Sequence, residues 1–336
     1  MNTTLARLGL AAAILAAVPA GAVTTLNGAG ATFPYPIYSK WFDEYHKVKP
    51  DLQINYQSIG SGGGIRQITA RTVDFGASDG PMTAKMLFAV DGTILHIPTV
   101  LGAVVPAFNL PGVDVLNLTG EVLAGIFLGK IKMWNDPAIA GLNPGVSLPG
   151  NSITVVHRSD GSGTTFCWVD YLCKISPEWL KKVGRGTAVN WPAGVGGKGN
   201  EGVAGLVKQT AYALGYVEMI YADQNKIAYA AVRNKAGRFV KASPTAVTAA
   251  AAGTASRMPS DFRVSITNAE GDESYPVSTY TWLLVYQSNP GDKGRLLKEF
   301  LRWMLKDGQG LAPALGYAPL PDPVNAMVTK AIEKIG

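Results

Sequence analysis

The sequence predicts an α/β fold divided into two domains, on the basis of two observations. Between residues 26 and 78, two units of strand, loop and helix follow one another, with small or hydroxyl-bearing residues where each helix begins. Such alternation is typical of a mostly parallel sheet covered by helices. After removal of a 22-residue leader, 336 − 22 = 314 residues remain, which is more than one ordinary hydrophobic core accommodates.

Residues 1–22 have the organisation of a secretory signal peptide. Arg7 supplies a positive charge, residues 8–18 are apolar, and Ala20-Gly21-Ala22 is a small-residue cleavage site. The apolar stretch is shorter than a membrane anchor requires, and no cysteine lies near the cleavage point to carry a lipid. We therefore expect an exported, soluble, periplasmic protein that is cleaved near Ala22.

The elements of the N-terminal third follow from local patterns. Residues 26–33 form a short strand that ends in a Gly/Ala turn, and Pro34 and Pro36 open a helix that continues to about residue 49. Apolar residues recur at helical spacing along it. The same criteria then predict a strand at 52–56, a helix at 64–72 and a strand at 73–78.

The remaining elements include one long apolar stretch, residues 94–110. His96, Pro98 and Pro106 interrupt it, which favours buried strands that cross between domains over a membrane span. The other elements are a strand at 153–156, a helix at 165–175, a helix capped by Asn200, a strand at 214–222, a helix at 245–255, a strand at 276–287, and helices at 295–306 and 323–334.

The segment HRSDGSGT, residues 157–164, lies between a predicted strand and a predicted helix. A helix N-terminus presents unpaired N–H groups and the positive end of a dipole. With the guanidinium of Arg158 and the hydroxyls of Ser162, Thr164 and Thr165, this loop is suited to a tetrahedral oxyanion. The negative charge of Asp160 is unexpected in such a site.

Two further loops of small residues, GAGATF and IGSGGG, also precede predicted helices. Three helix N-termini that converge on one point repel one another unless an anion lies between them. The formal net charge falls from +6 to 6 − 1 = +5 without Arg7, and it is not concentrated in any Lys/Arg run. The chain is therefore suited to attract small anions and not to bind nucleic acid.

Two other glycine motifs suggest different functions. The segment GASDG matches the nucleophile elbow G-x-S-x-G, with Ser78 as the nucleophile, but Pro81 follows directly and no oxyanion loop of the HGGG type precedes it. The segment GVGGKG, residues 194–199, matches the dinucleotide pattern G-x-G-x-x-G but follows Trp-Pro, a poor strand end. A hydrolase that uses Ser78 stays an alternative, whereas no P-loop motif exists.

The two cysteines, Cys167 and Cys173, lie six positions apart in a predicted helix. They are about 9 Å apart along the axis and face nearly opposite directions, which is too far for a disulfide. Neither has zinc-ligand spacing with any of the three histidines. We expect two free thiols, no metal site and no cofactor.

Seven segments between residues 28 and 222 resemble, in order and spacing, the periplasmic phosphate-binding proteins of Pst-type transporters. They are GAGATFPYPIYSKWFDEY, YQSIGSGGGIRQI, TVDFGASDGPM, LGKIKMWNDPAI, HRSDGSGTTF, GVGGKGNEGV and LGYVEMIYA. The resemblance implies a two-lobed, type II, flytrap-like binding protein with two hinge-crossing segments. Lobe I would comprise residues 23–103 and 277–336, and lobe II residues 104–276.

The resemblance also implies a function and a binding site. The protein would be a monomer without enzymatic activity that delivers inorganic phosphate to an inner-membrane ABC permease and its ATPase. Asp160 would hold Arg158, and an ionised Asp79 would accept a hydrogen bond from the proton of phosphate, which sulfate lacks. Gly80 stands where other members of that family can carry alanine. The implied ligand contacts are Thr32, Phe33, Ser61 and Asp79 on lobe I, and Arg158, Asp160, Ser162, Gly163 and Thr164 on lobe II.

The sequence leaves two alternatives to phosphate transport. One is a secreted phosphomonoesterase that uses Ser78. The other keeps the fold but changes the ligand to sulfate, molybdate or a phosphonate.

Overall fold

The computed structural model describes residues 23–336, and the predicted signal peptide at 1–22 lies outside the described residues. None of the helices in this range is both long and apolar enough to cross a membrane. Its strands are β1 (Thr24–Gly30), β2 (Leu52–Ser58), β3 (Phe75–Ser78), β4 (Ile94–Phe108), β5 (Asn117–Leu118), β6 (Thr154–Arg158), β7 (Val195–Gly197), β8 (Ala213–Glu218), β9 (Ala228–Tyr229), β10 (Ala231–Arg233), β11 (Phe239–Val240) and β12 (Ser278–Tyr286). Its α-helices are α1 (Tyr35–Val48), α2 (Ser61–Thr69), α3 (Ala84–Phe88), α4 (Gly120–Phe127), α5 (Pro137–Ala140), α6 (Gly163–Ile175), α7 (Pro177–Lys182), α8 (Gly199–Gln209), α9 (Met219–Asn225), α10 (Pro244–Ala255), α11 (Asp292–Lys306) and α12 (Asp322–Ile332).

The main sheet has nine strands and runs through both halves of the molecule. Eight of them follow the order β2-β1-β3-β12-β4-β8-β6-β7, and β9 pairs with the end of β4 on the edge opposite β8. The outer strands pair in parallel, as predicted, but β4 and β12 run antiparallel to their neighbours. The expectation of a mostly parallel sheet was therefore wrong for the centre, because β12 returns from the end of the chain and inserts between β3 and β4.

Strand β4 connects the two halves without interruption. Its residues up to Ala103 pair with β12, and its residues from Val104 onward pair with β8. The two prolines do not divide it, contrary to the sequence prediction. Pro98 lies at an irregularity in the pairing with β12, where a residue without an N–H is tolerated.

An irregular segment between α10 and β12 touches both halves. The Phe262 carbonyl accepts a hydrogen bond from Trp282 Nε1 at 3.0 Å, and Arg263 donates to the Met82 carbonyl at 3.0 Å. The chain then returns to α6, where the hydroxyls of Ser265 and Thr267 donate to the buried carboxylate of Asp170. We refer to residues 259–264 as the strap.

Two local predictions need correction. The predicted strand at 214–222 ends at Glu218, whose carboxylate accepts from the Ile220 N–H at 2.9 Å and thereby caps α9. Asn200 does not cap α8, because Lys198 occupies the N-cap position and the Asn200 side chain bonds elsewhere. Cys167 and Cys173 are free, buried thiols on α6, as expected from their spacing.

Candidate anion-binding site

The nine predicted site residues lie together where strands end and helices begin. Thr32 and Phe33 connect β1 to α1, Ser61 opens α2, and Asp79 directly follows β3. The other five lie at the end of β6, in the loop after it and in the first turn of α6: Arg158, Asp160, Ser162, Gly163 and Thr164. The ends of parallel strands meet at one edge of the sheet, which explains the convergence of distant loops.

The two groups of loops touch directly. A methyl group built on Gly163 would lie 2.4 Å from Asp79 Oδ2 and 2.5 Å from Ser61 Oγ, so only glycine fits there. The Gly62 N–H donates to the Gly161 carbonyl at 2.8 Å. The two halves are therefore closed onto each other, and the site residues are buried except for Asp160, which is half-buried.

Arg158 and Asp160 form a two-point ion pair. Arg158 Nε donates to Asp160 Oδ1 at 2.8 Å, and Nη2 donates to Oδ2 at 2.6 Å. Burial acts to raise the pKa of Asp160, but the Arg158 guanidinium and the Gly199 N–H hold that pKa below its ordinary value. The unexpected carboxylate thus fixes the guanidinium, whose side chain is 1% exposed.

Asp79 is the one site carboxyl group that is not paired with an arginine side chain. Its Oδ1 accepts from Thr281 Oγ1 at 2.8 Å, and its N–H donates to Ser61 Oγ at 3.3 Å. Burial raises the pKa of Asp79 to about 7, although the bond from Thr281 and the charge of Arg158 oppose that rise. Asp79 therefore exchanges a proton near neutral pH, whereas the sequence prediction treated it as simply ionised.

Four hydroxyl groups of the site are all held as hydrogen-bond acceptors by protein N–H groups. Within residues 23–336, the hydroxyls of Thr32, Ser162 and Thr164 donate to no protein acceptor, so each has a proton available for a bound acceptor. The Ser61 hydroxyl instead bonds the carboxyl group of Asp79 and acts to lower its pKa. The pairs are Asn200 Nδ2 to Thr32 at 2.8 Å, the Asp79 N–H to Ser61 at 3.3 Å, the Thr165 N–H to Ser162 at 3.0 Å and Asn200 Nδ2 to Thr164 at 3.1 Å.

Backbone donors add to this set. In the described part of the chain, the N–H groups of Phe33, Gly163 and Thr164 have no protein acceptor. Residues at or just before the N-termini of α1, α2, α6 and α8 contact one another here, so the positive ends of these helices lie close to the site. The site thus combines many donors and a guanidinium with one carboxyl group that is not paired with arginine, which suits an oxyanion that carries a proton.

Three residues of the site were not recognised from the sequence. Asn200 bridges Thr32 and Thr164, Thr281 bonds Asp79, and the Tyr221 hydroxyl donates to the Thr32 carbonyl at 2.6 Å. A signal was available for Thr281, since it is a polar residue within the fully buried strand β12. The glycine-rich motif at 194–199 is adjacent, and its Gly199 N–H contacts Asp160 at 3.1 Å.

Ser78 is not arranged as a nucleophile. It is buried, its hydroxyl donates to the Gly80 carbonyl, and it accepts the Gly80 N–H at 3.2 Å. His46, His96 and His157 each bond a backbone group instead. Within residues 23–336, no three His, Cys, Asp or Glu side chains form a group that could hold a metal ion.

Comparisons with known proteins agree with this architecture. A family model described as a PBP superfamily domain matches residues 16–307. The phosphate-binding protein PstS of Pasteurella multocida is 51% identical over 305 residues, with 89% of this chain and 87% of that protein covered. The corresponding protein of Haemophilus influenzae is 46% identical over 311 residues, with 91% of this chain and 92% of that protein covered.

Solved structures support the fold class. A high affinity periplasmic phosphate-binding protein bound with phosphate aligns at a TM-score of 0.73 and 22% identity, covering 91% of this chain and 93% of that one. A phosphate ABC transporter substrate-binding protein from Clostridium perfringens aligns at a TM-score of 0.67 and 19% identity, covering 89% of this chain and 100% of that chain. These alignments confirm the predicted two-lobed, type II α/β fold, and the sequence relatives establish that the chain belongs to the PstS family of phosphate-binding proteins.

Proposed function

We propose that this protein binds inorganic phosphate in the periplasm and delivers it to an inner-membrane ABC permease. The observation that carries the proposal is a buried set of hydrogen-bond donors that contains a single carboxyl group not paired with arginine, Asp79. Relatives over most of the chain are named phosphate-binding proteins, which supports the same ligand. The nine residues predicted from the sequence form the proposed contact set.

Selectivity follows from the proton count of the ligand. Phosphate keeps at least one proton at neutral pH, and ionised Asp79 accepts a hydrogen bond from it. Sulfate presents only acceptors, so its oxygen and the carboxylate would both lack a proton. A site built around such a partner rejects the analogue more strongly as pH rises above the pKa of Asp79 and the carboxyl group ionises.

The proposed lobes keep the predicted boundaries, with lobe I at 23–103 and 277–336 and lobe II at 104–276. The change of partner along β4, from β12 to β8 after Ala103, supports the first boundary. The strap of lobe II also lies against lobe I, through Trp282 and Met82. Closure of the lobes would enclose the anion between Asp79 on one side and Arg158 on the other.

We infer a binding role and not an enzymatic one. The Ser78 proton is directed at the Gly80 carbonyl, and no histidine is bonded to that hydroxyl, which supports this inference. Incubation with a chromogenic phosphate ester tests it, because turnover that disappears in Ser78→Ala would identify a phosphomonoesterase. We also propose that residues 1–22 are cleaved on export and that the mature protein acts as a monomer.

Calorimetric titration of phosphate-stripped protein with phosphate, sulfate, molybdate and a phosphonate tests the ligand. We expect tight binding of phosphate alone in the wild type. Asp79→Asn should still fold but bind sulfate measurably, because an amide can donate to the sulfate oxygen. Asp170→Asn, which changes another buried carboxylate, is the matched control and should keep the wild-type preference. An Asp79→Asn variant that ignores sulfate as strictly as the wild type would contradict the role of Asp79.

A further inference from the structure

The side chain of Asn200 has a single possible orientation. Asn200 is fully buried near the start of α8, and its Oδ1 accepts the Glu218 N–H at 3.0 Å. A backbone N–H can only donate, so the oxygen must face Glu218 and the amino group must face the site. That amino group donates to Thr32 Oγ1 at 2.8 Å and to Thr164 Oγ1 at 3.1 Å.

These bonds fill the acceptor capacity of both hydroxyls. A hydroxyl oxygen has two lone pairs and one proton. Thr32 Oγ1 accepts from both the side-chain and the backbone nitrogen of Asn200, the latter at 3.3 Å. Thr164 Oγ1 accepts from Asn200 and from Arg158 Nη1 at 3.4 Å. Each threonine can therefore act only as a donor toward anything else.

The arrangement spans the two proposed lobes. Thr32 follows β1 on lobe I, whereas Asn200 and Thr164 begin helices on lobe II. Separation of the lobes would remove both donors from Thr32 and free its hydroxyl to rotate. Resting on the proposed phosphate-binding function, we infer that Asn200 is a positioning residue that fixes the Thr32 and Thr164 hydroxyls as donors to the bound anion, and that it completes this arrangement only on closure.

The inference predicts a change in which protonation state of phosphate is preferred. When Asp79 is ionised, at pH above about 7, the wild-type site has fixed donors and one acceptor, so it suits a ligand with one proton. In Asn200→Ala the freed hydroxyls can also accept, so the doubly protonated anion that dominates at low pH is better tolerated. A residue that merely supports the fold would weaken binding by the same factor at every pH.

The experiment is calorimetry of the full mature chain with inorganic phosphate for the wild type and Asn200→Ala. We expect the dissociation constant of Asn200→Ala to be about 100 times that of the wild type at about pH 8.5, given two charge-assisted hydrogen bonds. At about pH 5.5 this ratio should be about tenfold smaller. Asn234→Ala is the matched control, because Asn234 is also buried and bonds three carbonyls far from the site. A ratio that does not change with pH, or one near unity throughout, overturns the inference.

Two further measurements keep the test decisive. If Asn200→Ala does not fold, Asn200→Asp retains the acceptor for Glu218 and should bind phosphate more weakly than the wild type at high pH, with recovery at low pH. In a double-mutant cycle that combines Asn200→Ala with Thr32→Val, the double variant should lose less binding free energy than the two single variants lose in sum. Additive losses would contradict the inference. Failure of the wild type to bind phosphate would instead overturn the proposed function itself.

Discussion

At the scale of single residues, the site consists of local motifs joined by distant partners. The Arg158–Asp160 pair and the hydroxyls of α6 lie within one loop, so their chemistry could be predicted from consecutive residues. The roles of Asn200 and Thr281 depend on bonds to residues 168 and 202 positions away. A polar residue in an apolar strand marks Thr281 as unusual, but sequence patterns do not identify the distant partner of either residue, which is why their roles were missed.

The pKa of Asp79 leads to a prediction about selectivity against sulfate. Burial raises this pKa to about 7, so Asp79 is protonated below that pH and ionised above it. Protonated Asp79 can donate to sulfate, whereas ionised Asp79 repels it. We expect sulfate affinity to fall about tenfold for each pH unit above 7, the slope of a one-proton linkage.

Calorimetric titration of sulfate across this pH range measures the slope. Asp79→Asn, which cannot ionise, is the control and should show no such dependence. Equal sulfate affinity of the wild type on both sides of neutrality would exclude Asp79 as the proton sensor.

At the scale of elements, helices and outer strands were predicted more accurately than the central strands. Amphipathic helices such as α11 carry their own periodicity, and the predicted range 295–306 begins only three residues late. Strand β4 is buried on both faces over nearly all of its fifteen residues, so it has no alternation that marks its pairing. Its continuity depends on β12, which lies 170 residues or more further along the chain.

Glu218 at the end of β8 gives a stability prediction for this central region. It is opposite Val104 of β4, and its Oε1 has no hydrogen-bond partner in the described structure. Burial, with further contributions from Asp223 and Asp79, raises the pKa of Glu218 well above its ordinary value. The folded state therefore holds this proton more tightly than the unfolded state. The resulting stability is complete below the ordinary pKa and is lost as pH rises toward the folded value.

Glu218→Gln should remove this loss. Urea unfolding at about pH 5 and about pH 8 should show the wild type losing more stability between the two values than the variant, by about 1.4 kcal/mol for each pH unit over which the proton is retained. The exposed Glu273→Gln is the control and should follow the wild type. Parallel pH curves for wild type and Glu218→Gln would contradict the assignment.

At the scale of the whole molecule, the two lobes approach each other closely at Gly163. The sequence indicated two lobes and a shared site, but the close approach of Gly163 to Asp79 and Ser61 is visible only in the folded structure. A glycine in a loop can serve a turn or a close contact, and the sequence alone does not show which of these applies to Gly163.

Gly163→Ala should therefore hinder closure. The added methyl group would overlap Asp79 and Ser61, and we expect a loss of phosphate affinity of about 10- to 100-fold from overpacking. Small-angle X-ray scattering should show a smaller decrease in radius of gyration on addition of phosphate than in the wild type. Gly205→Ala is the matched control, since a methyl group there meets no atom within 4 Å. Full compaction and unchanged affinity in Gly163→Ala would show that the two lobes accommodate the methyl group.

The position of β12 has a consequence for the order in which the chain folds. β12 lies between β3 and β4, although it is made some 170 residues after β4. A chain that emerges from its N-terminus cannot close the first half of the main sheet until residue 286 has arrived. The sheet around β1, β2 and β3 therefore stays incomplete until nearly the whole chain has been made.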